Sequence, residues 1–159
     1  MTETAIGTDT EGSNASDVID EILSDHMEIK RLLTEVADAR GAGRADAFDQ
    51  LARIIAMHES AEQAVVHPEM QRLDGAVAED RLEEETKGDE LLERLRSMSV
   101  EDPAFNALFT KFSAAVQRHA EQEEQKEHPK LRAGVDAERL TEMADEFVAA
   151  EDDADQGTP

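Results

Sequence analysis

Two stretches of this chain repeat one order of ligand-type side chains. His58 to Pro68 and His119 to Pro129 both read H-x-x-x-E-x-x-x-x-H-P, and every histidine of the chain lies in this repeat or at His26. Imidazole and carboxylate four residues apart stand about one turn apart on a helix, roughly 40° apart in azimuth. His58 with Glu62, and His119 with Glu123, can therefore each aim two ligand atoms at one centre. Glu85 and Asp89 share the spacing. Mixed imidazole and carboxylate donors suit iron, manganese or zinc. The chain has no cysteine, so copper(I)–thiolate and iron–sulfur chemistry, disulfides and thiol nucleophiles are excluded together.

These side chains need helices to hold them. Ala, Leu, Glu and Arg dominate, hairpin signals are missing, and aromatic content is confined to five Phe, so the expected class is all-α. Ser16 reads as an N-cap for a first helix running to about Arg40, before Gly41-Ala42-Gly43. A second is expected from about Arg44 to Val66, stopped by Pro68, and a third from about Ala76 to Met98. A fourth should start near Pro103 and end near Pro129. A short fifth segment carries Leu140, Met143, Ala144, Phe147 and Val148. Short connections favour an up-down-up-down four-helix bundle, with the fifth helix docked on it. The expected organisation is a disordered leader over residues 1–16, the bundle over 17–150 and an acidic disordered tail over 151–159.

Spacings of three and four give each helix a core-facing seam. The seams run Ile19, Ile22, His26, Ile29, Leu33, Val36; then Phe48, Leu51, Ile55, His58, Glu62, Val65. The third is Leu82, Glu85, Asp89, Leu92, and the fourth is Phe105, Phe109, Phe112, Val116, His119, Glu123. Each keeps apolar residues at its ends and ionisable ones in its middle. A single seam histidine is explained by a hydrogen-bonded core imidazole, and a single seam glutamate by a mis-phased helix. Seven such groups on four helices are not, because each costs several kcal/mol if buried unpaired. Shared cations cancel that cost. The metal candidates are His26, His58, Glu62, Glu85, Asp89, His119 and Glu123, whose four carboxylates balance two divalent ions. Glu124, His67 and His128 are further candidates. In an unbroken helix His67 and His128 fall roughly 140° away from the preceding Glu, so a structural role and a ligand or proton-transfer role both stay open.

The order of these elements resembles the hemerythrin / HHE cation-binding family. Asp25-His26 on the first helix, His58 and Glu62 on the second, and His119 with Glu123-Glu124 on the fourth carry the likeness, over about residues 17 to 148. The resemblance implies a four-helix bundle with two non-haem iron ions, oxo- or hydroxo-bridged when oxidised, and dioxygen or hydrogen peroxide as small-molecule ligand. The chain departs from it in two places. Oxygen-carrying members place a histidine pair on the third helix where Glu85 and Asp89 stand here, which points to peroxide handling, including catalase-like decomposition, rather than reversible oxygen carriage. His67 and His128 replace the usual aromatic residue before proline. Non-enzymatic iron storage, buffering or redox sensing by the same residues is the rival reading, and a metal-free structural bundle is the third.

The net charge of −23 excludes nucleic acid and anionic membrane as expected partners. No apolar run approaches the ~20 residues needed to span a bilayer. A secretory signal pattern is missing, so a cytoplasmic protein, monomeric or weakly oligomeric, is expected.

Overall fold

The structure is a computed structural model and describes residues 16–157. Its described residues form helices joined by short turns, without a strand. In chain order the helices are α1 (Val18–Asp38), α2 (Gly41–Ala61), α3 (His67–Leu73), α4 (Gly75–Arg96), α5 (Phe105–Gln122), α6 (His128–Gly134) and α7 (Ala137–Gln156). A π-helical turn at Glu62–Val66 joins α2 to α3, and a second at Glu123–Glu127 joins α5 to α6. Five helical rods result. α1 packs on α2 and α5, α4 on α5, and α7 across α1 and α2.

Local chemistry sets the ends. Asp17, not Ser16, caps α1 through a reciprocal box: its carboxylate accepts from Asp20 N, and the Asp20 carboxylate accepts from Asp17 N, each at 3.0 Å. Gly41 adopts φ +59° at the start of α2, so the Gly-Ala-Gly stretch is the first turn of that helix rather than a linker. Asp74 and Asp136 cap α4 and α7 by accepting from Val77 N and Arg139 N. Arg44 is buried at the far end of the molecule. Its Nε donates to Val36 O at 3.0 Å, satisfying a last-turn carbonyl of α1, and its guanidinium lies 4.8 Å from the Phe105 ring centre.

The second and fourth rods do not stop at their prolines. At each π turn the His N–H bonds back five residues, His67 to Glu62 O and His128 to Glu123 O, before α-helical pairing resumes. Pro68 and Pro129 sit at that change of register in the first turn of α3 and α6, where a missing N–H costs least. The C-terminal boundary also moves. α7 is a 20-residue helix reaching Gln156, so residues 151–156 are helix and not the expected tail. It is held by buried Leu140, Met143, Ala144 and Phe147, and near its end by Arg53, whose Nη2 donates to Asp155 Oδ2 at 2.7 Å. Val148, expected on the docking face, is exposed. The expected leader lies outside the described residues, save Ser16.

The core is two apolar clusters with a polar layer between them. One gathers Ile29, Leu32, Leu51, Ile55, Leu92, Leu95, the stacked Phe105 and Phe109, and Phe112 tilted against them. The other gathers Val18, Ile22, Val65, Met70, Leu131, Met143 and Phe147. Each such side chain contributes about 1.5–3 kcal/mol by leaving water. That burial lets the fold tolerate buried His26, His58, Glu62, Glu85 and Glu123 in between.

Candidate metal centre

Six of the seven seam residues converge. Ligand atoms of His26, His58, Glu62 and Glu123 lie within 4.8 Å of one another, and so do those of Glu62, Glu85 and His119. Glu62 belongs to both groups. Glu123 also spans the layer, with Oε2 3.1 Å from His26 Nε2 and Oε1 2.6 Å from His119 Nε2. His58 Nε2 stands 2.8 Å from Glu62 Oε1.

These close approaches are not hydrogen bonds. His58 Nε2, His119 Nε2, Glu85 Oε1 and Glu123 Oε2 are all buried without a hydrogen-bond partner among the described residues. The atoms crowd together yet are not directed at one another, and such orphaned groups cost about 1–3 kcal/mol each. Buried ligand atoms this close together fit a metal-binding layer of three imidazoles and three carboxylates.

The outer ring nitrogens are held. Asp25 Oδ2 lies 2.8 Å from His58 Nδ1, and Glu84 Oε2 lies 3.0 Å from His119 Nδ1. A carboxylate on Nδ1 fixes the ring and leaves Nε2 free to face inward. Asp25 therefore serves His58 on the neighbouring helix rather than its own neighbour His26.

A family model for the hemerythrin HHE cation binding domain matches residues 17–131. The chain belongs to the hemerythrin HHE cation-binding family. A solved HHE cation binding domain-containing protein from Mycobacterium kansasii shares its fold, with a TM-score of 0.80 at 17% identity, covering 89% of this chain and 88% of that one. No curated protein matches. Within this HHE domain, no helix among the described residues is long and apolar enough to cross a membrane.

The remaining candidates divide. Asp89 is exposed and stands outside both ligand groups, hydrogen-bonded to Glu59. The inner face of α4 runs Ala78, Arg81, Glu85, Leu92, Leu95, so the position after Glu85 that faces inward is Gly88, which lines a cavity over the centre. Leu82, also expected on that seam, is exposed for the same reason. Glu124 is one-third exposed, with Oε2 4.0 Å from His26 Nδ1. His67 is half-buried, whereas His128 is buried, its ring stacked 6.4 Å from His26 and its Nε2 unpartnered. The π turn brings His128 inward, because its hydrogen bond spans five residues instead of four and so inserts one residue into the rod. Glu127, Arg81, Glu59 and Glu84 are not singled out by spacing, and Asp25 enters the sequence reading only beside His26. Glu127 and Arg81 are buried. Only the unusual burial of charge could have flagged them.

The electrostatics of these side chains by themselves follow from desolvation and crowding. Burial, then the Glu62 charge, lifts Glu85 to about 8. Burial and the bond to Asp89 lift Glu59 to about 9, and burial with the Glu123 and Glu62 charges lifts Glu127 to about 9. Burial opposes protonation of His119, but the close Glu123 carboxylate and its charge outweigh it and hold the ring at about 10. His58 is likewise held well above its ordinary value by Glu62 and Asp25 against burial. Glu123 is held well below the carboxylate range, the His119 and His26 contacts overcoming burial.

Two small cavities flank the layer. One of about 40 Å³ touches His26, His58, Glu85 and His119 and is walled by Ile29, Leu33, Ile55 and Val116. The other, about 10 Å³, is lined by Glu62, His67, Arg81, Glu85, Glu123 and Glu127, and has room for roughly one water.

Proposed function

We propose that the protein is a non-haem di-iron protein in which His26, His58, Glu62, Glu85, His119 and Glu123 hold two iron ions that bind dioxygen or react with peroxide. The carrying observation is the set of buried, mutually close and unpartnered ligand atoms. Two bound irons supply a two-electron redox change and open coordination positions at one place. Glu62, shared by both ligand groups, and Glu123, which reaches two imidazoles, are the residues suited to bridge.

The chain's own groups supply the rest. Asp25 and Glu84 orient His58 and His119. The small cavity walled mostly by Ile29, Leu33, Ile55 and Val116 suits a small neutral ligand. On the opposite side burial lifts the Glu127 carboxyl above the ordinary carboxylate range, beside the water-sized cavity. Glu85 stands where oxygen-carrying relatives place imidazole, and an anion there favours the ferric state. Peroxide decomposition therefore fits better than reversible oxygen carriage. The same reading takes the protein as cytoplasmic and monomeric or weakly oligomeric.

Iron quantitation tests this. Protein loaded with ferrous iron without air, then oxidised and desalted, should retain two irons per chain and show oxo-bridged ferric absorption, easily seen in a chain with no Trp or Tyr. One iron or none after that treatment sinks the di-iron reading. Peroxide turnover by the loaded protein separates catalysis from storage.

A further inference from the structure

Between α4 and α5, on the outer side of His119, runs a groove of about 480 Å³ whose lining includes Arg81, Lys87, Arg118 and Lys126. A second hollow of about 340 Å³ between the same helices adds Arg94 and Lys111. Six of the sixteen Lys and Arg thus line this face, with only Asp80, Glu83 and Glu84 of the thirty-nine acids. In a chain of charge −23 that is a local reversal of sign. Lys87, Arg94, Lys111, Arg118 and Lys126 make no ion pair among the described residues, whereas Arg31, Arg53, Arg72, Lys130, Arg132 and Arg139 each do.

The groove has a built floor. Arg81 is buried between the groove and the inner cavity, with Nη2 2.9 Å from Glu84 Oε1, Nη1 donating to Gln122 Oε1 at 3.5 Å, and Nε buried without a partner. The other oxygen of Glu84 holds His119 Nδ1. Two guanidinium groups, Arg81 and Arg118, and two ammonium groups, Lys87 and Lys126, around a concave space of this size match a compact oxyanion. Planar forks favour phosphate, with the lysines as point charges, and the volume is that of a small-molecule site.

We propose that this groove binds a small phosphate-bearing anion and that its occupancy is felt at His119 through Arg81 and Glu84. The link to His119 as a ligand rests on the metal-centre reading; phosphate binding does not. The test is calorimetric titration of the full chain, before metal loading, with AMP and separately with inorganic phosphate. Saturable binding should weaken with salt and fall by about tenfold or more in the Lys87→Glu/Arg118→Glu double variant. Arg139→Glu on α7 should leave it unchanged. Tighter binding of AMP identifies a nucleotide-sized ligand and equal affinity the free anion; either supports the site. The bound anion should also shift the His119 ring nitrogen resonances. No saturable binding of either probe, or equal binding in the double variant, overturns the proposal, whatever the iron content proves to be.

Discussion

His58 and His119 each stand between two carboxylates, one behind the ring and one in front. The inner partners, Glu62 and Glu123, face other ligand atoms, whereas the outer partners, Asp25 and Glu84, hold the ring at Nδ1, Glu84 while also pairing with Arg81. That division separates holding a metal from aiming a ligand. Asp25→Ala and Glu84→Ala should each weaken metal binding by about 10–100-fold while keeping two sites, since such outer partners typically contribute that much. Competition with a calibrated chelator measures it, and unchanged affinity in both would remove the outer carboxylates from the argument. Asp89→Ala is expected to leave both the affinity and the number of bound ions as they were, because its carboxylate is exposed and bonded to Glu59.

At the scale of elements, the π turns are the feature that shapes the site. Each inserts a residue into a rod at the inner glutamate, so the segment after it is re-phased without a break. In the fourth rod this places Glu127, His128 and Leu131 inside. Deleting Gln125, an exposed residue of that turn, should restore an ordinary α-helical register and rotate these three by about 100°. The expected loss is at least about 2 kcal/mol, the cost of forfeiting a core leucine alone. Gln125→Ala should change stability by no more than about 0.5 kcal/mol. A chemical-denaturation series on the two variants decides, and equal midpoints would show that the turn is incidental.

For the whole molecule, the buried layer couples stability to pH and to metal with opposite signs. In the metal-free protein Glu85, Glu59, Glu127, His58 and His119 all have folded pKa values raised above their ordinary ones. Groups of this kind bind more protons folded than unfolded, so their stabilisation is fully present at low pH and is lost as pH rises through the folded values. The losses run through about 8 for Glu85, about 9 for Glu59 and Glu127, and about 10 for His119. The melting temperature of the metal-free chain should therefore fall between neutral pH and about pH 10. Metal binding needs the same groups deprotonated, so the loaded protein should lose less over that range and the gap between the two should widen. Melting curves of both forms across the series check this; parallel curves would place the ligands at the surface.

How much of this was legible without tertiary structure differs by residue. Helical periodicity located His26, His58, Glu62, Glu85, His119 and Glu123 on inward faces, because apolar neighbours three and four residues away fix the azimuth of each. It could not choose between Gly88 and Asp89. Both spacings from Glu85 share a face in a sequence pattern, and only packing of α4 against α5 sets the rotation. The prolines looked like stops because a lone sequence is read with one hydrogen-bond register. The π turns exist because neighbouring helices bury both sides of the insertion, as Val66, Met70, Leu131 and Val135 show by sharing one cluster. The acidic end of α7 read as a tail by composition, yet Phe147 and Arg53 anchor it. Residue types and spacing thus determined the ligand chemistry of this protein and its helical class. The register at the prolines, the outer carboxylates and the cationic groove were decided only by contacts between helices, whose energies come from burial of neighbours far apart in the chain.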